Sequence, residues 1–267
     1  MDANGQLIRA NMPVSIDIVG NDIRDVDDNC IETDGAMYNV RVLGNRCFNQ
    51  AHRALSTQPV FGGPVYFIGN VVYHAPEGGS TKFTANSSGI LVYHNTFIGE
   101  VHDMGAVSNI HYRNNLILGQ GAYPEVLTMD TFTNYSSSDY NGFRPNPGAA
   151  QSFAWNSPPT GVVADFTSNR EKRGFASLRE YAAATGQDTH SVLVDYSDFV
   201  KVAAPDPKDP THFYNPQQFD FSLTAKSAAV DAGVVLPNVN DGFTGRAPDL
   251  GACERGRPMP VFGPRPQ

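Results

Sequence analysis

The chain of 267 residues carries 19 basic and 27 acidic side chains, a formal net charge of −8, and only 17% charged residues against 25 glycines and 19 prolines. An acidic balance argues against nucleic acid or an anionic membrane surface as partner, and the wealth of turn formers suits a β protein better than a helical one. No apolar run reaches the roughly 18 residues of a membrane span, so none is expected.

The length allows one or two domains. Residues 1–6 have neither the basic nor the apolar segment of a signal peptide. Strand-like sequence starts near Val14 with no amphipathic segment ahead of it to close a first coil, although stacked coils need polar caps. The reading is that upstream coils of a longer protein are missing. Residues 1–13 as a makeshift cap, or cover from another chain, are the alternatives.

From there a repeat organises the chain. Asn21, Asn45, Asn70, Asn95 and Asn115 each close an apolar strand, and Asn141 closes a weaker sixth, at spacings of 24, 25, 25, 20 and 26 residues. Periods in this range mark stacked architectures. The units are rich in Val, Ile, Tyr and Phe with Gly at the bends, so they read as short strands. Strands without helices at this period predict an all-β fold, a parallel β-helix in which each coil pairs with its neighbours. Asparagine is assigned to the bend because it tolerates left-handed backbone, and its stacked amides can bond from coil to coil.

Alignment on the asparagines puts Ile31, Leu55 and Phe83 in one inward column. Alternation then turns Cys30, Glu32 and Asp34 outward, with Ala54, Ser56 and Gln58, and with Lys82, Thr84 and Asn86. Seven residues beyond each asparagine runs a polar column of Asp28, His52, Glu77 and His102. Coils lie about 4.8 Å apart, so Asp28 and His52 can approach directly. From Arg144 the texture changes. Residues 1–143 are taken as coils, and 144–267 as a C-terminal cap and wrapping segment on the same core. Residues 175–185 have helical spacing, and Gly186 is placed to end that helix. Short strands follow at 192–194 and 199–200, then a Pro- and Asp-rich loop at 204–213, further strand or wrapping pieces at 219–235 and 248–253, and a tail that hugs the surface. The three cysteines, Cys30, Cys47 and Cys253, show no metal spacing, and buried thiols are expected.

Residues 27–35 followed by the strand at 39–45, together with the segments 175–181, 185–191, 227–233 and 248–254, resemble right-handed parallel β-helix proteins of the pectate-lyase-like superfamily. The resemblance covers most of 14–254. It implies a right-handed β-helix with a C-terminal cap, an exported bacterial parent placed outside the cell or on its surface, and a polysaccharide or oligosaccharide ligand along one outer face. The superfamily includes polysaccharide lyases, glycoside hydrolases, epimerases and proteins of no assigned reaction, so fold alone does not choose among them.

The densest polar cluster is Asp27, Asp28, Glu32 and Asp34, joined across coils by His52, Arg53 and Lys82. Carboxylates held close raise one another's pKa and call for a metal, a cation or a proton. Asp28, Glu32, Asp34, His52 and Arg53 are the candidate catalytic residues. Gln58, Lys82 and His102 are candidate substrate binders, and Asp27 with Asp28 the candidate ligands for Ca²⁺. Hydrolysis would use two carboxyls. Elimination on a uronic acid would use calcium or a cation, with a base such as Arg53, Lys82 or His52. A binding or cell-surface structural module would use the same groups only to hold sugar. The plain alternative is a turn at 27–29 and solvated carboxylates paired with Arg24, Arg41 and Arg53. His94, His102 and His111 are too scattered for a metal triad, and Tyr66, Tyr73 and Tyr93 either pack between coils or offer a sugar platform. No phosphate loop, zinc-protease or nucleophile-elbow motif occurs.

Overall fold

The computed structural model describes residues 13–102, 105–132, 135–158 and 170–264. The makeshift cap offered as an alternative for residues 1–13 lies, except for residue 13, outside them. The chain winds as a right-handed parallel β-solenoid of triangular section. Strands Val14–Val19, Tyr38–Leu43, Phe61–Ile68, Ser88–Tyr93, Ser108–Arg113 and Ser137–Asp139 build the first face, leading into the asparagines. Strands Asp22–Val26, Arg46–Gln50, Val71–Tyr73, Thr96–Ile98, Leu116–Leu118 and Gly142–Arg144 build the second, leaving them. The third face is two sheets. One holds Ile31–Glu32, Leu55–Thr57 and Thr81–Phe83, and the other Val101–His102, Leu127–Asp130 and Phe153–Asn156, with Gly174–Phe175 added antiparallel. The third strand of the sixth coil therefore lies beyond residue 143, where the sequence places the end of the coils.

The asparagines form a continuous ladder. Asn45 Oδ1 accepts from the backbone and side-chain N–H of Asn21, both at 2.9 Å, and Asn70, Asn95, Asn115 and Asn141 repeat the pattern. Each amide from Asn45 to Asn115 also donates to a first-face carbonyl, as Asn95 does to Phe67. The left-handed residue is not the asparagine but the one before it: Gly20, Gly44, Gly69, then His94, Asn114 and Tyr140. Glycine takes that conformation without a Cβ penalty. In the last three coils a side chain occupies the position instead, and it is fixed by what lies over it. Asn114 exchanges hydrogen bonds with the backbone of Val234, and Tyr140 stacks on His190.

Inside the triangle Val40, Val42, Val65, Phe67, Phe97, Ile110 and Phe153 make one core, with Phe67 stacked on Phe83 at 5.3 Å. Ile31, Leu55 and Phe83 are buried in it, as expected. Cys30 corrects the alternation count. It sits on the bend before the strand, where alternation has not begun, and turns inward to a disulfide with Cys47 on the second face. The buried-thiol expectation holds for Cys253 only. In the chain-entropy account, a bridge across this 17-residue separation contributes about 3 kcal/mol by restricting the unfolded state. Ala54, also expected outside, lies in the core for the same reason.

The second face is buried on both sides. Its outward residues Phe48, Tyr73, Ile98, Leu116 and Leu118 form a second core with Phe199, Phe221, Leu223, Leu250 and Cys253 of the wrapping segment. The helix Leu178–Thr185 closes the last coil. Ser177 caps its start by accepting from Glu180 N–H, and left-handed Gly186 ends it, as predicted. Tyr181 stacks on Phe153 at 5.1 Å, and Asp188 receives the terminal ladder amide of Asn141 at 3.0 Å. The segment then runs back along the second face until Gly263 N–H reaches the carbonyl of Gly20 in the first coil. Strands at Val192–Leu193, Phe199–Lys201 and Asp220–Leu223 match three predicted pieces. Residues 248–253 wrap without forming a strand.

Candidate functional site

The predicted cluster divides at the corner between the second and third faces. On the third face the register sets Glu32 beside Ser56 and Ser56 beside Lys82, so these three side chains leave the wall in one column. Phe83 pairs with Thr57 rather than Leu55, a shift of two residues from the expected column that keeps its face. Asp34, on the turn after Glu32, accepts from Ser56 Oγ at 3.0 Å. Burial pushes the Asp34 carboxyl up, Ser56 and the backbone of Gln58 pull it down, Glu32 adds to the rise and Lys82 opposes it. Asn29 Nδ2 donates to Glu32 Oε1 at 2.5 Å and steadies that carboxylate. Glu32, Asp34, Ser56, Gln58 and Lys82 are thus brought together across three coils.

Arg53 and His102 take other positions. Arg53 is buried, and its Nη1 donates to the carbonyls of Thr81 at 2.6 Å and His102 at 2.5 Å. Its Nη2 donates to Tyr123 Oη at 2.7 Å, and the Tyr123 ring stacks on His102 at 4.1 Å. Burial first and the Arg53 charge second lower the His102 pKa, Glu125 opposing. Arg53 holds the wall together from within, and His102 stands as a neutral ring on top of that support. His52 Nδ1 lies 3.7 Å from Glu77 Oε2 of the next coil, both side chains largely in solvent, while Asp28 is exposed on the turn.

Among the described residues no three His, Cys, Asp or Glu side chains converge in a cage, so a calcium ion on Asp27 and Asp28 would have to complete its shell with carbonyls and water.

Asp27 instead lines a cleft of about 380 Å³ on the second-face side of the corner, with Gln50, His74, Glu77, His212 and Phe213. A second side-chain column floors it. Asn49 Nδ2 donates to Asp25 Oδ1 at 2.8 Å, and His74 Nδ1 faces Asn49 Oδ1 at 3.3 Å, all three residues having positive φ. Tyr214 closes the column by exchanging hydrogen bonds with Asn49. One buried acceptor remains without a hydrogen bond, Gln50 Oε1, while the carbonyl of Pro210 faces the His74 ring. Such a lining suits a donor-rich ligand, because an unmet acceptor leaves desolvation uncompensated. Sequence reasoning missed this column. Its only sign is a polar residue four positions after the asparagine in the first three coils, Asp25, Asn49 and His74.

No protein-family model matches the chain, and no curated protein matches it in sequence. Among the described residues no helix is long and apolar enough to cross a membrane.

Proposed function

We propose that this chain is a carbohydrate-active β-helix, of the pectate-lyase-like kind its sequence resembles, that engages an acidic or plant or algal polysaccharide along its third face and cleaves it by hydrolysis. The observation that carries this reading is Asp34, a half-buried carboxyl raised by burial and set two residues from exposed Glu32. Environments that separate two carboxyls divide the roles of acid and base. Asp34 would protonate the glycosidic oxygen, Glu32 would activate water or attack, and Lys82 would hold a sugar carboxylate or hydroxyl. Hydrolysis is favoured over elimination because Arg53, one of the candidate bases, has its guanidinium engaged by two carbonyls and a tyrosine hydroxyl. The disulfide fits an exported parent, since such bonds persist in oxidising compartments.

A second reading, a non-catalytic polysaccharide-binding or surface module, has one observation in its favour: the bonds of Asp34 to Ser56 and Gln58 also steady the turn without any chemistry. A panel of polysaccharides, assayed with and without calcium, separates the readings. Reducing ends without ultraviolet absorbance mean hydrolase, rising absorbance means lyase, and retention without product means module. Asp34→Asn keeps the shape and the bond from Ser56 but has no acidic proton to give. It is expected to lose at least about 100-fold in kcat, the usual share of a general acid, with its melting temperature little changed. Activity is also expected to fall as pH rises through the elevated Asp34 pKa. Full turnover in the Asn variant would remove Asp34 from the mechanism.

A further inference from the structure

The first face carries a separate constellation of reactive side chains. Residues two apart share one side of a strand, so Asn109, His111 and Arg113 all leave Ser108–Arg113 outward, and the parallel register sets His111 directly beside Ser137. His111 Nδ1 lies 2.8 Å from Ser137 Oγ, and His111 Nε2 lies 3.1 Å from Asn109 Oδ1. Arg113 Nη2 donates to the same serine oxygen at 2.8 Å, while its Nη1 is anchored on the Tyr112 carbonyl at 2.7 Å. One assignment of protons satisfies every contact. Nε2–H donates to Asn109, Nδ1 accepts from the serine hydroxyl, and the serine oxygen accepts from Arg113. Burial first and the Arg113 charge second lower the His111 pKa, which keeps the ring in the neutral form a base requires.

The geometry points to Ser137 as a nucleophile, activated by His111 and oriented through Asn109, that hydrolyses a carboxylic ester with a small acyl group. Nucleophile, base, orienting group and a cation at the reacting oxygen are the parts such a reaction needs. Leu91 and Tyr93 stand beside His111 and Arg113 in register, half-buried, and give the acyl group an apolar floor. Ser137 Oγ attacks the ester carbonyl as its proton passes to His111 Nδ1. The carbonyl electron pair moves to oxygen, opposite the Arg113 guanidinium. Collapse expels the alcohol oxygen, which takes the proton from His111 and leaves an acyl-serine. Water then attacks the acyl group as its proton passes to His111, and collapse expels the serine oxygen, which takes that proton back. The net change is ester plus water to acid plus alcohol, with nothing oxidised or reduced.

The test uses the full chain, a fluorophosphonate probe and p-nitrophenyl acetate. Mass spectrometry is expected to find one covalent label, on Ser137. Ser137→Ala should abolish labelling, and His111→Asn should slow labelling and hydrolysis on the order of 100-fold or more. Asn109→Ala, at a positioning residue, should lower kcat with KM unchanged. Ser137 and His111 face outward on their strands, so the melting temperatures of their variants should stay near that of the parent. The proposal is overturned if the probe leaves Ser137 unmodified in the folded parent protein, or if His111→Asn labels at the parent rate. Neither readout involves polysaccharide cleavage at the third face, so failure here and failure there are distinguishable.

Discussion

Asn95→Ala should destabilise the chain by about 4 kcal/mol. Asn95 is fully buried in the middle of the ladder. Its Nδ2 donates to the Phe67 carbonyl at 2.9 Å and to Asn115 Oδ1 at 3.0 Å, and its Oδ1 accepts both N–H groups of Asn70 at 2.9 Å. Alanine supplies none of these atoms. The Phe67 carbonyl and the Asn70 backbone N–H lose their side-chain partner, each at roughly 1–3 kcal/mol when buried, and a small cavity adds to the cost. Asn21→Ala is the control. Asn21 is exposed at the end of the stack, where water replaces the amide, and about 1 kcal/mol or less is expected. Urea denaturation of the two variants measures the difference. Equal losses would mean that the ladder contributes no more at its centre than a surface turn does. Strand pairing joins only adjacent coils, while Arg53 and the wrapping segment reach further, so a broadened transition in Asn95→Ala would report that the stack separates at the fourth coil in spite of those ties.

The ladder was legible because a closed coil must return to the same corner, and the corner residue recurs whatever the strands between contain. Its backbone was not. Asparagine was credited with the left-handed conformation, whereas that falls on the residue before it, as Gly20, Gly44 and Gly69 already signal in the first three copies. The outward side of Glu32, Ser56 and Lys82 also followed from the period, but the period set Thr84 in line with Glu32, where the register puts Lys82. The place of Arg53 did not follow: it stands two residues before inward Leu55, and grouping it with the outer cluster by charge overlooks that side, whereas counting alternation across a bend sends Cys30 outward. The covered second face went unread, although uninterrupted apolar runs such as Leu116–Leu118 carry the pattern of a strand buried on both sides. What covers it was not visible, because the wrapping segment has almost no regular structure and meets the coils through single anchors. Ala252 N–H on Thr96 Oγ1 is one, Tyr73 Oη on the Ala203 carbonyl another, and His94 a third.

His94 makes the stability of that anchor depend on pH. Its Nδ1 faces the Gly251 carbonyl at 3.3 Å, and its Nε2 faces the amides of Asn114 at 2.9 Å and Asn240 at 2.7 Å. The consistent assignment is a neutral ring that donates through Nδ1 and accepts at Nε2. Burial drives its pKa down to about 4, with Gly251 and then Glu254 opposing. The unfolded chain takes up this proton near pH 6.5, but the folded chain resists it until about pH 4. The stabilisation is therefore complete above pH 6.5, declines through the interval below it and is spent once the folded ring titrates. At about 1.4 kcal/mol per pH unit the loss approaches 3 kcal/mol by pH 4. Asp188 works in the opposite sense, since burial raises its pKa and favours the folded state as pH falls. It is present in both proteins when the parent is compared with His94→Gln, and it cancels. Denaturation of the pair between pH 7 and pH 4 is expected to show the parent losing about 3 kcal/mol more than the variant. Parallel curves would mean that His94 accepts its proton without breaking the bonds that hold the wrapping segment to the fourth coil.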